Sequence, residues 1–196
     1  MKDIIINTLN ESLEVKRTSI TNSLDTLIKT AETMAECLTS GHKILIFGNG
    51  GSAADAQHIA AEFVNRFQIE RPPLAVLALT TDSSILTSIG NDYHFDDVFI
   101  KQVAAFGQPG DMAWGISTSG NSKNVVKALE YAKDKGLTTL GMGGQGGIIS
   151  TLCDLVLRVD SPVTARIQEC HITMGHILCD LVDRILFPMA FSAKTK

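Results

Sequence analysis

Five short apolar runs, each followed by a stretch of helical periodicity, constrain this chain more than any other feature. The runs lie at residues 43–47 (KILIF), 74–79, 112–116, 138–142 and 155–159. Apolar spacing near three and four predicts helices over residues 53–67, 83–89, 95–106, 122–135, 148–153 and 164–186. Strands that are apolar along their whole length are buried on both faces, and helices are what cover them. The expected fold is therefore α/β: a doubly wound, mainly parallel five-stranded sheet flanked by helices.

Residues 1–40 add two further helices ahead of the first strand. One apolar series is Ile4, Ile5, Leu9, Leu13 and Val15; the next is Ile20, Leu24, Leu27, Ile28, Ala31, Met34 and Leu38. Gly41 supplies the stop. A minimal doubly wound domain does not need this pair, so their stripes are buried on the chain's own sheet or against partner subunits. A length of 196 residues with 44% hydrophobic content suits one compact domain over 1–196. A net charge of −4 without a long basic run argues against a nucleic-acid partner. No uncharged apolar stretch approaches the roughly 18 residues that span a bilayer, so no membrane partner is expected. Cys37, Cys153, Cys170 and Cys179 form no C-x-x-C pair, and the N-terminus has no secretory apolar core. Free thiols in a reducing cytoplasm are the expectation.

Two strand–loop–helix units are chemically alike. The first loop is Gly48-Asn49-Gly50-Gly51-Ser52. Its glycines let backbone N–H groups approach an anion, and Ser52 is placed to cap the following helix, whose N-terminus favours negative charge. An ordinary βα turn has the same composition, so this loop alone decides nothing; it is neither a Rossmann G-x-G-x-x-G nor a Walker loop. The second loop is Ser117-Thr118-Ser119-Gly120-Asn121-Ser122. A plain turn needs one capping serine, and four hydroxyls within six residues are better explained by a phosphate with its several acceptor oxygens. Both loops fall at the carboxyl ends of strands, where doubly wound sheets bind ligands. A ligand with a phosphate at one end and polar groups elsewhere, such as a sugar phosphate, fits them.

Acid–base candidates follow on the helices. His58 and Glu62 share a face at i and i+4, and Arg66 continues that face. Gln168 and His176 are eight residues apart on the last helix, an advance of about 80° that lets both point one way. His171 lies about 60° to the other side and is the weaker candidate. Each residue alone is more often a solvated group. Together, two imidazoles, a carboxylate and an amide oxygen make a tetrahedral zinc-type donor set.

The segments GNGGSAADAQHIAAEF, IGNDYHFDD, GISTSGNS and ARIQECHITMGH closely resemble the phosphoheptose isomerases of the sugar isomerase (SIS) domain family, and the resemblance covers essentially the whole chain. The serine-rich loop marks the wider family; its combination with His58, Glu62, Gln168 and His176 is far more specific. The resemblance implies a homotetramer with one zinc ion per subunit, ligated by His58, Glu62, Gln168 and His176. It puts sugar-phosphate contacts on Asn49, Gly50, Gly51, Glu62, Asn91, Asp92, Ser117, Thr118, Ser119, Ser122 and Gln168, and Ser52 and Arg66 also match active-site positions. It implies conversion of D-sedoheptulose 7-phosphate into D-glycero-D-manno-heptose 7-phosphate, the first step towards nucleotide-activated heptoses for lipopolysaccharide or other surface glycans. Two positions depart from the family pattern: Ala165 stands where some members have Asp, and His94 where glycine is frequent.

Ketose-to-aldose isomerisation moves a proton from C1 to C2 through an enediol, which asks for one carboxylate base and a second acid–base group. Glu62 is assigned the first role and His176 the second. A Glu bound to zinc is a poorer base, so metal binding and proton abstraction are alternative states of Glu62. The N-terminal helices are expected at the oligomer interface, with each active site completed by a neighbouring chain, so that His58 need not face His176 of its own chain. Three other readings stay open. One is a non-enzymatic tetrameric protein of the DnaA initiator-associating type, which shares the RIQE and NRF segments and lacks equivalents of Glu62 and His176. Another is a sugar-phosphate-sensing domain of a transcriptional regulator. The last is an isomerase of another sugar phosphate.

Overall fold

The computed structural model describes residues 1–192; the last four residues of the expected 1–196 span lie outside the described residues. In chain order come α1 (Lys2–Thr21), α2 (Leu24–Thr39), β1 (Ile44–Gly48), α3 (Gly51–Val64), β2 (Val76–Ala78) and α4 (Ser83–Asp92). A 3-10 turn (Phe95–Asp97), α5 (Ile100–Phe106), β3 (Met112–Ser117), α6 (Lys123–Asp134) and β4 (Thr138–Gly143) follow. The chain continues through α7 (Ile149–Leu152), β5 (Leu155–Arg158), α8 (Thr164–Leu186) and α9 (Pro188–Ser192). The five strands pair in parallel in the order β2-β1-β3-β4-β5, as the apolar runs predict. Alternation along each strand divides the core. Ile44 and Ile46 of β1 with Met112, Trp114 and Ile116 of β3 face α2, α3 and α8. Leu45, Phe47 and Ala113 face α5, α6 and α7.

Three elements are shorter or more broken than the periodicity predicts, each for a local reason, and the helix expected over 83–89 is longer, running to Asp92. The helix expected over 53–67 ends at Val64, because Arg71 donates to the carbonyls of Glu62 and Phe63 that a further turn would have used. The strand expected over 74–79 shortens to three residues, since the N–H of Leu74 bonds the Phe63 carbonyl instead of a neighbouring strand. The helix expected over 95–106 is broken after a 3-10 turn, which His94 caps by accepting from the N–H of Asp96 at 3.0 Å. Helix α9 carries no signal that the sequence reading used.

The two N-terminal helices divide the options left open for them. The stripe of α2 is buried on the chain's own core through Leu27, Ala31 and Met34. Helix α1 buries only Ser19; Ile5 and Leu13 remain 67% and 56% exposed, and Ile4, Ile6 and Leu9 are exposed with them. Val15 and Ile20 pack against the core that α8 lines, and polar bonds add to this attachment. Arg166 donates to the Thr8 carbonyl at 2.8 Å, and Ser12 Oγ to Glu169 Oε2 at 2.6 Å. Among the described residues no helix is long and apolar enough to cross a membrane.

Candidate active site

In this strand order the connections leave β1 and β3 towards opposite sides, and the crevice between their carboxyl ends is the switch point at which doubly wound sheets bind ligands. The loop after β1 runs straight into α3 through Gly50, whose φ of 54° suits glycine. Gly50, not Ser52, holds the cap position, and Ser52 is buried within the first turn. This corrects the expectation that Ser52 caps the helix. A Cβ on Gly51 would strike the side-chain amide of Gln168, so the missing side chain is what lets α8 bring that amide to the loop.

The loop after β3 is a hydroxyl cluster. Ser117 Oγ lies 2.9 Å from Ser122 Oγ and 3.3 Å from Ser119 Oγ, and Ser119 Oγ accepts from the N–H of Asn121. Thr118 and Ser119 line an open cavity of about 380 Å³ that reaches Thr164 at the start of α8. The two loops are tied together by a residue the sequence reading did not single out. Asn49 Nδ2 donates to Asn124 Oδ1 at 2.8 Å, and Asn124 Nδ2 returns a bond to Asn49 Oδ1 at 2.9 Å. Asn124 is buried, and its Oδ1 also accepts from the N–H of Val125 in the first turn of α6. An Asn in a first helical turn reads as a routine residue, so only the fold exposes this role.

His58, Glu62 and His176 converge within one chain, each offering a ligand atom within 4.8 Å of the others. His58 Nε2 is 2.9 Å from His176 Nε2 and 3.5 Å from Glu62 Oε1. The expectation that His58 need not face His176 of its own chain is corrected, because α3 and α8 pack side by side and Ile59 lies against Gly175. Phe67 stacks on the His176 ring with centroids 5.5 Å apart and an interplanar angle of 25°. Partial burial pulls the His176 imidazole below its usual range; the neighbouring His58 pushes the same way and Glu62 opposes. Two Nε2 atoms and a carboxylate oxygen aimed at one point are a donor set that a divalent transition ion fits.

The remaining candidates separate. The amide of Gln168 sits over Gly51, eight residues before His176, about 12 Å along the helix axis. Arg66 lies beyond the end of α3 and pairs with Glu70 at 3.7 Å, so it does not continue the face of His58 and Glu62. Asn91 and Asp92 close α4, a helix with no buried residue, and Asn91 Nδ2 donates to Asp92 Oδ1 at 2.8 Å. His171 is a core residue: it lies 3.1 Å from the Gly143 carbonyl, and burial pulls it down to about 4. Ala165 is exposed. Burial pushes the thiols of Cys37, Cys153 and Cys170 up to about 11, 12 and 11, and Cys179 upward as well, so none is a nucleophile at neutral pH.

Known proteins share this arrangement of chain and loops. The sequence profile of the SIS domain matches residues 9–144. The chain is 56% identical over 187 residues to phosphoheptose isomerase of Nitratidesulfovibrio vulgaris, covering 95% of this chain and 90% of that protein. It is 50% identical over 192 residues to phosphoheptose isomerase of Shewanella loihica, covering 96% and 98%. Among solved structures, phosphoheptose isomerase from Neisseria gonorrhoeae matches with a TM-score of 0.88 at 45% identity, over 93% of this chain and 98% of that one. A phosphoheptose isomerase from Francisella tularensis matches with a TM-score of 0.89 at 38% identity, over 93% and 97%.

Proposed function

This chain belongs to the SIS domain family and, within it, to the phosphoheptose isomerases, and on that premise we propose that it converts D-sedoheptulose 7-phosphate into D-glycero-D-manno-heptose 7-phosphate. The observation that carries the reading is the convergence of His58, Glu62 and His176 on helices that open from, or pass beside, the two ligand loops. The phosphate is held without Lys or Arg, by the hydroxyls of Ser52, Ser117, Thr118, Ser119 and Ser122 with the N–H groups around them. Asn49, Gly50, Gly51, Asn91, Asp92, Gln168 and Arg66 hold the sugar.

Glu62 takes the proton from C1 of the open-chain ketose and returns it to C2, while His176 moves the proton between O1 and O2. Partial burial that pulls the His176 imidazole below its usual range favours its neutral form, in which one nitrogen accepts and the other donates. We propose one zinc ion per subunit, held by His58, Glu62 and His176; Gln168, the fourth ligand that the resemblance implies, stands over Gly51, about 12 Å along α8 from His176. When bound, the ion supplies Lewis-acid polarisation of the ketose carbonyl. The free carboxylate of Glu62 is the state that abstracts the proton.

The assembly we propose is a homotetramer, and the product feeds heptose synthesis for surface glycans in the cytoplasm. What supports the tetramer is the row of exposed Ile and Leu side chains on α1, a patch that monomers rarely leave in water. Covering the exposed part of each such side chain favours association by at most about 1.5–3 kcal/mol, set against the entropy lost on association. The test is to incubate the purified protein with a panel of ketose phosphates and with unphosphorylated sedoheptulose, following aldose formation. Aldose from the heptulose phosphate alone supports the reading. Aldose from none of them overturns it, and equal efficiency with the unphosphorylated sugar removes the phosphate role of the loops.

A further inference from the structure

We propose that Arg71, paired with Asp183, is the positioning residue that holds the His58–Glu62–His176 group in its working geometry. Both side chains are 1% exposed, and Arg71 Nε donates to Asp183 Oδ1 at 2.9 Å. The other donors of the guanidinium go to backbone carbonyls. Nη2 bonds the carbonyl of Glu62 itself at 2.9 Å, and Nη1 those of Phe63 at 2.6 Å, Pro72 at 3.2 Å and Asn65 at 3.4 Å. Asp183 follows His176 by seven residues on α8, about two turns, which puts both on one stripe of that helix. The segment that Arg71 closes, between α3 and β2, carries Phe67, whose ring stacks on the imidazole of His176. One guanidinium thus fixes the backbone of the proposed base, the helix bearing its acid–base partner, and the ring against which that partner lies.

Stability alone is a weak reason to keep such a pair, because a buried ion pair rarely outperforms well-packed apolar side chains of the same volume. Geometry is a better one. Arginine offers five donors in a rigid plane and serves five acceptors here, which the point charge of lysine cannot copy. Arg71 touches no reacting atom, so its effect is exerted through the placement of Glu62 and His176. Displacements of about 1 Å at such a site reduce rates by up to about 10²-fold.

The inference rests on the isomerase reading, and the experiment separates the two. Full-length R71K and D183N are compared with wild type by melting temperature, by kcat and KM on D-sedoheptulose 7-phosphate, and by ¹⁵N-histidine NMR after chelation. The spectrum reads the His58–His176 contact without needing turnover. For R71K we expect a folded protein with kcat lower by about tenfold or more, KM within about threefold, and displaced His58 and His176 signals. Wild-type kcat, or imidazole signals that do not move, overturns the proposal. If R71K does not fold, the isosteric D183N decides by the same criteria, with a smaller loss expected. If neither variant folds, the pair only holds the fold and the proposal fails. A wild type that turns over no heptulose phosphate defeats the functional reading alone and leaves the histidine signals to decide about Arg71.

Discussion

At its N-terminal end α3 opens from a loop of glycines, an asparagine and a serine that carries no charged side chain, whereas two and three turns later the same helix presents His58 and Glu62. The first end is shaped by backbone. Gly50 adopts a φ open to glycine, Gly51 leaves room for Gln168, and Asn49 is pinned by Asn124. The second end is shaped by side chains from three places: α3 itself, His176 of α8, and the segment that brings Phe67 and Arg71. The first arrangement suits recognition of an anion that looks alike in reactant and product. The second suits groups whose protonation changes during the reaction. Substitutions at the second end should therefore act on kcat, and substitutions at the first on KM.

The largest effect is expected at the carboxylate. Glu62→Gln keeps the shape of the side chain and removes the base, a change that lowers rates by about 10²–10⁴-fold. Steady-state kinetics on D-sedoheptulose 7-phosphate should show that loss in kcat with KM nearly unmoved. Turnover within about threefold of wild type would end the assignment of Glu62 as base.

The loops come next. Ser119→Ala and Ser122→Ala each remove a hydroxyl from the cluster around Ser117. A hydrogen bond to a charged group is worth about 1.5–3 kcal/mol, or about 10- to 150-fold in affinity. That loss should appear in KM, and a kcat effect with constant KM would break the division between the two ends of α3. Asn124→Ala tests the same end from beneath. It deletes both bonds to Asn49 without touching the ligand, and a weakening of about tenfold in KM is expected from the loss of about 1–1.5 kcal/mol of positioning.

How much of each end was legible in the sequence follows from the same difference. The loops announce themselves locally, because glycines and hydroxyls between an apolar run and a helix are visible within a few residues. His58 and Glu62 share a face by spacing alone. Their meeting with His176, more than a hundred residues later, is a tertiary fact that spacing does not contain, and the resemblance supplied it. Arg71 and Asn124 gave no signal at all. Arg71 sits in a proline-flanked segment outside every periodic pattern, and its carbonyl acceptors exist only once α3 has formed. The misplaced end of α3 has the same cause: Phe67 continues the apolar rhythm, but its ring is drawn to His176. The sheet order was legible only as a class, since parallel strands between helices do not say which strand lies at the edge.

The last prediction asks whether the two ends of one α3 serve the same substrate molecule. Eleven residues separate Gly51 from Glu62, about 16 Å along the helix axis. An open-chain heptose phosphate with bonds of about 1.5 Å is shorter than that. Helix α4, which bears Asn91 and Asp92 and buries no residue, has a face free for a neighbouring chain. In the proposed tetramer, the loops of one chain then serve the acid–base group of another. Mixing after mild dissociation separates the cases. Glu62→Gln with His176→Ala should restore nothing, because both residues belong to one group within one chain. Glu62→Gln with a Ser119→Ala, Ser122→Ala double variant should restore activity. In a symmetric assembly mixed at random, about one site in four receives wild-type loops from one chain and a wild-type Glu62 from another, so at substrate far below the raised KM of the serine variant, where that variant alone is nearly silent, the rate should reach about a quarter of wild type. Recovery in the first mixture would contradict the single-chain group. No recovery in the second would place both ends of one α3 on the same substrate and remove the need for a neighbouring chain.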